Sequence, residues 1–236
     1  MVDMFPVLRV LGILVMIFSL SMGLPLAVSL WTGDGVWQVY PQAMAGTMLA
    51  GAWLWWRLRL FRQELQPRHG VMLVSLVWML LPLFSTVPLM LAAHHIGRPM
   101  SFTHAYFEAV SGLTTTGSTV LVGLDTLPVS VNVWRTFLQW MGGMGILILA
   151  VAVLPLLGVG GSQLFKAEAA GPLKDTKLTP RMTGTAKGLW GVYALFSTLC
   201  GVAYWAAGMA PLDALMHMFS TVSLGGLSSH DQSFGY

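Results

Sequence analysis

Thr114, Thr115, Thr116 and Gly117 stand together inside "SGLTTTGSTV" (residues 111–120), in a chain that is otherwise strongly apolar. Such a stretch offers main-chain carbonyls, hydroxyl oxygens and one position without a Cβ. Closely spaced carbonyl oxygens can take the place of a monovalent cation's hydration shell. A glycine reaches the φ values that let successive carbonyls face one axis. The chemistry is dehydration and coordination, with no nucleophile and no proton transfer. The competing reading is an outer loop whose threonines cap helices.

A second cluster answers the first. Ser223, Leu224, Gly225 and Gly226 lie inside "PLDALMHMFSTVSLGGLSSHD" (residues 211–231). An offset of 109 residues pairs Ala105 with Ala214, Ser111 with Ser220 and Gly117 with Gly226, and sets Thr114 against Ser223 and Thr119 against Ser228. Gly225 is the one-residue register alternative to Gly226. Each cluster follows an apolar, helix-compatible run of about 12 residues, too short to cross a hydrocarbon core and of the length that re-entrant segments have. Irregular backbone at membrane depth is tolerated where protein buries it or where it lines an aqueous cavity. The repeating plan is span, re-entrant helix, glycine-bearing segment, span, present once in full and once in part.

The elements that must position these clusters follow from composition. Of 236 residues, 56% are hydrophobic and only 9% charged, against about 25% charged in soluble domains. Mean hydropathy is +0.72. The expected class is an all-α polytopic membrane protein built of helix–pore-loop–helix repeats, with two re-entrant pore helices. Uncharged stretches at 10–31, 36–56, 70–93, 136–159 and 188–212 are the spans, the first of them retained rather than cleaved. Arg9, Arg57, Arg59, Arg62, Arg68, Lys166, Lys174, Lys177, Arg181 and Lys187 fall on one side of this arrangement, which makes it the cytoplasmic side and puts the N-terminus there. The expected organisation is two spans at 1–69, then a first unit at 70–160, a basic cytoplasmic loop at 161–187 and a partial second unit at 188–236.

Other residues carry weaker signals. Glu108 lies in the first short helix, where an intramembrane acid is a functional suspect; accepting hydrogen bonds from the loop is the favoured role. Asp125, Asp213 and Asp231 near the outer mouth would concentrate cations or simply be solvated. Arg135 reads as an interfacial anchor at the start of the fourth span. Met141, Gly142, Gly143, Met144 and Gly145 suggest close packing ahead of a hinge. His94 and His95 lack partners at metal-ligand spacing and read as loop histidines. Trp53, Trp55 and Trp56 beside Arg57 fit an interfacial belt. The single cysteine, Cys200, excludes a disulfide framework. Zinc-protease and serine-hydrolase signatures and paired intramembrane acids are missing, so an enzyme is not expected.

Four stretches, "YFEAVSGLTTTGSTV", "WRTFLQWMGGMGILI", "FKAEAAGPLKDTKLTPR" and "FSTVSLGGLSSHDQSFGY", resemble in order the signatures of the Trk/Ktr/HKT potassium transporter superfamily, the bacterial Trk-type membrane subunit most closely. That resemblance covers essentially the whole chain. It implies four helix–pore-loop–helix units around one pore, each unit lending one filter segment with a key glycine, and makes the two spans at 1–69 a two-helix leader that precedes them. It implies potassium uptake across a bacterial cytoplasmic (inner) membrane, with K+ held by carbonyls of Thr115, Thr116, Gly117, Leu224, Gly225 and Gly226. Implied partners are K+, the lipid bilayer, a cytosolic nucleotide-binding regulatory subunit docking near the 161–187 loop, and a second copy in a homodimer; neither a covalent cofactor nor nucleic acid is expected. Channel-like flow and proton- or sodium-coupled symport are both compatible. His104 departs from an expected acid, and Leu224 is bulkier than the pattern. The sequence reaches only into the second unit, so it is expected to be a fragment that does not conduct alone, with an assembly partner as the alternative role.

Overall fold

The computed structural model describes residues 4–61, 67–153 and 178–235. Among these the chain is helical, without strands. α1 (Phe5–Ser21) runs on through Met22 into α2 (Gly23–Thr32), followed by the antiparallel α3 (Val39–Leu58). Next come α4 (Pro67–His95), the short α5 (Phe102–Leu113) and α6 (Val129–Val153). After residues outside the description stand α7 (Leu178–Ala206) and the short α8 (Pro211–Val222). Each of the five expected spans holds a long helical stretch among the described residues. Phe5–Thr32, His69–His95 and Ala186–Ala206 are long and apolar enough to cross a bilayer by length and composition.

Two helix starts differ most from the sequence reading. The fourth span begins at Val129 rather than 136, where the single Pro128 carbonyl accepts from the Val131 and Asn132 amides and opens the helix. The fifth begins at Leu178, so residues 178–187, expected as loop, are helical. The rest of the expected cytoplasmic loop, with Lys166, Lys174 and Lys177, lies outside the described residues, as does Arg62.

The leader and the first unit share one core. Phe18, Met22, Val36, Tyr40 and Ala43 pack with Leu89, Ala92, Ala105, Ala109, Trp134 and Leu138. In lipid such burial has little hydrophobic drive between helices, so close packing and polar contacts hold it together. Asp34, in the turn between α2 and α3, accepts from the Ser130 amide at 3.0 Å and so caps the free N–H groups at the start of α6. Tyr40 donates to the Ser130 hydroxyl at 2.8 Å. Within α4, Pro88 removes one ladder N–H, and close to that break the Ser85 carbonyl accepts the Trp134 indole N–H at 3.2 Å.

Each short helix has 12 residues, about 18 Å at 1.5 Å per residue, which cannot cross a core of about 30 Å. Their starts differ. Ser101 caps α5 by accepting from the His104 amide at 3.2 Å, whereas α8 opens on Pro211, whose ring fixes a helical φ.

Candidate functional site

The two glycine-bearing segments fold alike. Residues 102–113 and 211–222 are helical, again 109 apart, and each helix runs into the same turn. The amides of Thr114, Thr115 and Thr116 bond to the carbonyls of Val110, Gly112 and Ser111; those of Ser223, Leu224 and Gly225 bond to Phe219, Thr221 and Ser220. Both turns then carry two left-handed residues at matching places, Thr115 (φ 56°) with Leu224 (φ 57°) and Gly117 (φ 75°) with Gly226 (φ 82°). A left-handed conformation costs a non-glycine residue about 1–2 kcal/mol, so its recurrence at Thr115 and Leu224 marks a backbone held by its surroundings. The match pairs Gly117 with Gly226 and removes Gly225 as the register alternative.

Gly225 is glycine for another reason. Its φ is not left-handed, but a Cβ there would lie 2.3 Å from the Gln139 side-chain amide carbon. The two segments also meet directly: a Cβ on Gly117 would sit 1.8 Å from the Gly225 carbonyl oxygen. The structure thus brings Thr114–Gly117 and Ser223–Gly226 into one place, between the C-terminal ends of α5 and α8. Thr114 turns its hydroxyl back to the Val110 carbonyl at 2.8 Å, so a helix-capping role holds for that threonine. Thr116 is exposed and shares a hydroxyl contact with Thr114 at 2.7 Å. Leu224 is 89% exposed.

Helix α6 is the floor of this site. A Cβ on Gly142 would overlap the Leu113 carbonyl oxygen at 1.9 Å, and one on Gly143 would press on Tyr193 and Ser223. The glycine run of α6 therefore serves packing, letting the ends of both short helices approach its backbone. Trp140 locks the outer elements with stacked or tilted contacts to Phe137, Tyr193 and Phe219, and its indole donates to Ser197 at 2.9 Å.

Behind the first segment lies a buried ion pair. Glu108 Oε1 accepts from the Thr119 hydroxyl and from the amides of Val120 and Leu121, at 2.5, 2.6 and 3.3 Å. Its Oε2 accepts from Arg135 Nε at 3.2 Å, both side chains being essentially inaccessible. Glu108 thus holds the loop. The expected interfacial anchor at Arg135 is corrected: α6 starts six residues earlier, which carries the guanidinium into the protein, where only a paired charge is tolerable. In the second copy the position 109 residues after Glu108 is His217, whose ring faces Ser228, the counterpart of Thr119, at 3.5 Å.

Asp125, Asp213 and Asp231 are each engaged by neighbouring groups. His230 Nδ1 meets Asp125 at 2.5 Å and its Nε2 meets Asp213 at 3.1 Å. A ring with carboxylates at both nitrogens satisfies both only when doubly protonated. Partial burial pulls the His230 pKa down, but the hydrogen bonds and charges of Asp125 and Asp213 outweigh it and leave it above 6.5. The bond from His230, followed by that from the Asp231 amide, holds Asp125 below 3.8. Asp231 accepts from the amides of Gly123 and Leu124 at 3.0 and 3.1 Å. His94 and His95 end α4, exposed, and Trp53, Trp55 and Trp56 are exposed at the end of α3 with Arg59 over the Trp56 ring.

Sequence reasoning missed Asn132, Gln139 and His217, and named Ser228 only as the repeat partner of Thr119. Asn132, Arg135 and Gln139 were legible as one polar row at helical spacing within an apolar stretch.

With this geometry in hand, the chain was compared with known proteins. The family model for TrkH, described as a cation transport protein, matches residues 37–236. The chain is similar to the Trk system potassium uptake protein TrkH of Halomonas elongata, 51% identical over 98% of this chain and 47% of that protein. It is 46% identical to the protein of that name from Escherichia coli K12, over 97% of this chain and 47% of that protein. The crystal structure of the potassium transporter TrkH from Vibrio parahaemolyticus superposes with a TM-score of 0.86 at 40% identity, covering 100% of this chain and 46% of that one. The chain spans about half the length of the curated relatives it matches.

Proposed function

This chain belongs to the TrkH family of cation transport proteins, and we propose that it takes potassium across a bacterial inner membrane as part of a longer Trk-type transporter. Residues 114–117 and 223–226 are two of the filter segments, and their carbonyls replace the water of a dehydrating K+. α5 and α8 are the re-entrant pore helices that direct their negative C-terminal dipoles at the ion path. The N-terminus and the basic 161–187 loop face the cytoplasm, where the loop helps to dock a nucleotide-binding regulatory subunit. The complete protein works as a homodimer. Two segments enclose only part of an ion, so these residues conduct only together with the remaining units.

The observation that carries the reading is the recurrence of one helix–turn–glycine geometry 109 residues apart, with the two turns touching at Gly117 and Gly225. Such strained, repeated backbone has no evident purpose in a loop that only caps helices. The relatives' names as potassium uptake proteins point the same way.

The test replaces Gly226 by Ser in the full-length protein and measures K+ against Na+ flux in proteoliposomes. Open space surrounds the new Cβ, so the variant should fold. The K+/Na+ ratio should fall, and Gly117→Ser should lower it further. Unchanged ratios in both variants would refute the filter assignment.

A further inference from the structure

Helix α6 carries a polar row whose partners lie on both glycine-bearing segments. Asn132, Arg135 and Gln139 fall on one face, and each is at least 96% buried by its exposure of 4%, 1% and 0%. Asn132 Nδ2 donates to the Leu124 carbonyl at 2.9 Å and reaches that of Ser229 at 3.4 Å. Arg135 donates from Nη2 to the Thr119 hydroxyl at 2.9 Å, and its Nη1 reaches the Ser228 carbonyl at 3.4 Å. Gln139 Oε1 accepts the Leu227 amide at 3.2 Å. One helix of the first unit thus touches the backbone of residues 227, 228 and 229 in succession, directly after the second glycine pair.

Gln139 is the most telling of the three. Its amide fills the space that a Cβ on residue 225 would need. Its Nε2 is buried and meets no hydrogen-bond partner among the described residues. Leaving a buried donor unmet costs stability, which is retained only where the side chain's place matters more than its satisfaction. A leucine or methionine at 139 would fill the same volume without fixing the Leu227 amide.

We propose that the Asn132–Arg135–Gln139 row positions the second glycine segment, Gln139 being the residue that sets its backbone register and hence the ion preference of the site. The proposal rests on the filter reading above. The row also ties the two segments to one rigid helix, so that a displacement of α6 moves both together.

The experiment is the K+/Na+ flux ratio of full-length Gln139→Met in proteoliposomes, alongside Gln139→Glu, which keeps an acceptor for the Leu227 amide, and Gly226→Ser. A ratio cancels the number of folded transporters, so a residue needed only for folding would not move it. Gln139→Met should lower the ratio by about threefold to tenfold, the range one lost hydrogen bond commands, with Gln139→Glu near the parent. Arg135→Lys, which keeps a charge beside Glu108 but shortens the reach to Ser228, should also lower it, and serves if Gln139→Met does not fold. An unchanged ratio in Gln139→Met or, where that variant fails, in Arg135→Lys, while Gly226→Ser lowers it, overturns the proposal and leaves the filter reading standing. An equal fall in Gln139→Glu overturns the acceptor role. Unchanged ratios throughout, Gly226→Ser included, would sink both.

Discussion

The first and second glycine-bearing segments share a backbone and almost nothing behind it. Residues 114–117 are braced by a carboxylate, Glu108, that gathers three donors from the returning loop and neutralises a buried arginine. Residues 223–226 are braced from outside their own unit, by Gln139 of α6, with the imidazole of His217 where the carboxylate stood. Equal φ angles at Thr115 and Leu224, and at Gly117 and Gly226, come out of these unequal supports. What repeats is a conformation, enforced by whichever neighbours are at hand. That is why the sequence repeat is faint while the geometric one is close.

The supports should fail unequally. Replacing Glu108 by Gln leaves Arg135 buried without its counter-charge, which typically costs about 3–5 kcal/mol. Replacing His217 by Gln disturbs its bond with the Asp213 carbonyl at 2.8 Å and its contact with Ser228 at 3.5 Å, about 0.5–1.5 kcal/mol each. Thermal unfolding of the full-length protein in detergent should therefore show a much larger loss for Glu108→Gln. Equal losses would mean that the ion pair adds nothing to the first segment beyond what a hydrogen bond gives the second.

The glycines separate the two copies next. Gly226→Ala suffers the left-handed φ alone, about 1–2 kcal/mol, because its Cβ would enter open space. Gly117→Ala suffers that strain and overlaps the Gly225 carbonyl oxygen at 1.8 Å. Unfolding midpoints should fall further for Gly117→Ala, by a margin beyond conformational strain. If the two midpoints fell alike, the segments would not be in contact.

Much of this was legible in the sequence. The five long helices and two short ones follow from apolar run lengths, and the two clusters from glycine amid hydroxyl residues. Arg135 was misplaced because hydropathy sees a charge as the end of a span. It could not see that Glu108, 27 positions away, would meet that charge inside. Gly225 and Gly226 looked interchangeable, since composition records two glycines and not two reasons, a side chain beneath one and a left-handed φ at the other. Gln139 passed unremarked because a polar row within an apolar stretch tells that a polar partner is faced, and not that the partner is the backbone after Gly226.

The smallest expected effect lies at the outer junction, where the first loop is latched to the second segment by His230 between Asp125 and Asp213. His217 stacks on the same ring at 6.3 Å, and Asp231 tethers the neighbouring amides of Gly123 and Leu124. A histidine whose folded pKa is raised contributes stability that is fully present below its unfolded value and fades as pH rises through the folded one. The shift of His230 above 6.5 sets the alkaline limit. Asp125, held below 3.8, sets the acid limit, since its share is lost as pH falls through the lowered value. The latch should hold between those limits and loosen as the surrounding solution turns alkaline, by a modest amount because both groups are partly solvated and screened. Hydrogen exchange at the amides of Gly123 and Leu124 should quicken between pH 6 and pH 8 beyond the intrinsic rise. His230→Gln should exchange at the loosened level at both values. Matching pH responses in the parent and in His230→Gln would show that the His230 latch adds nothing to the union made through α6, the Gly117–Gly225 contact and Asp231.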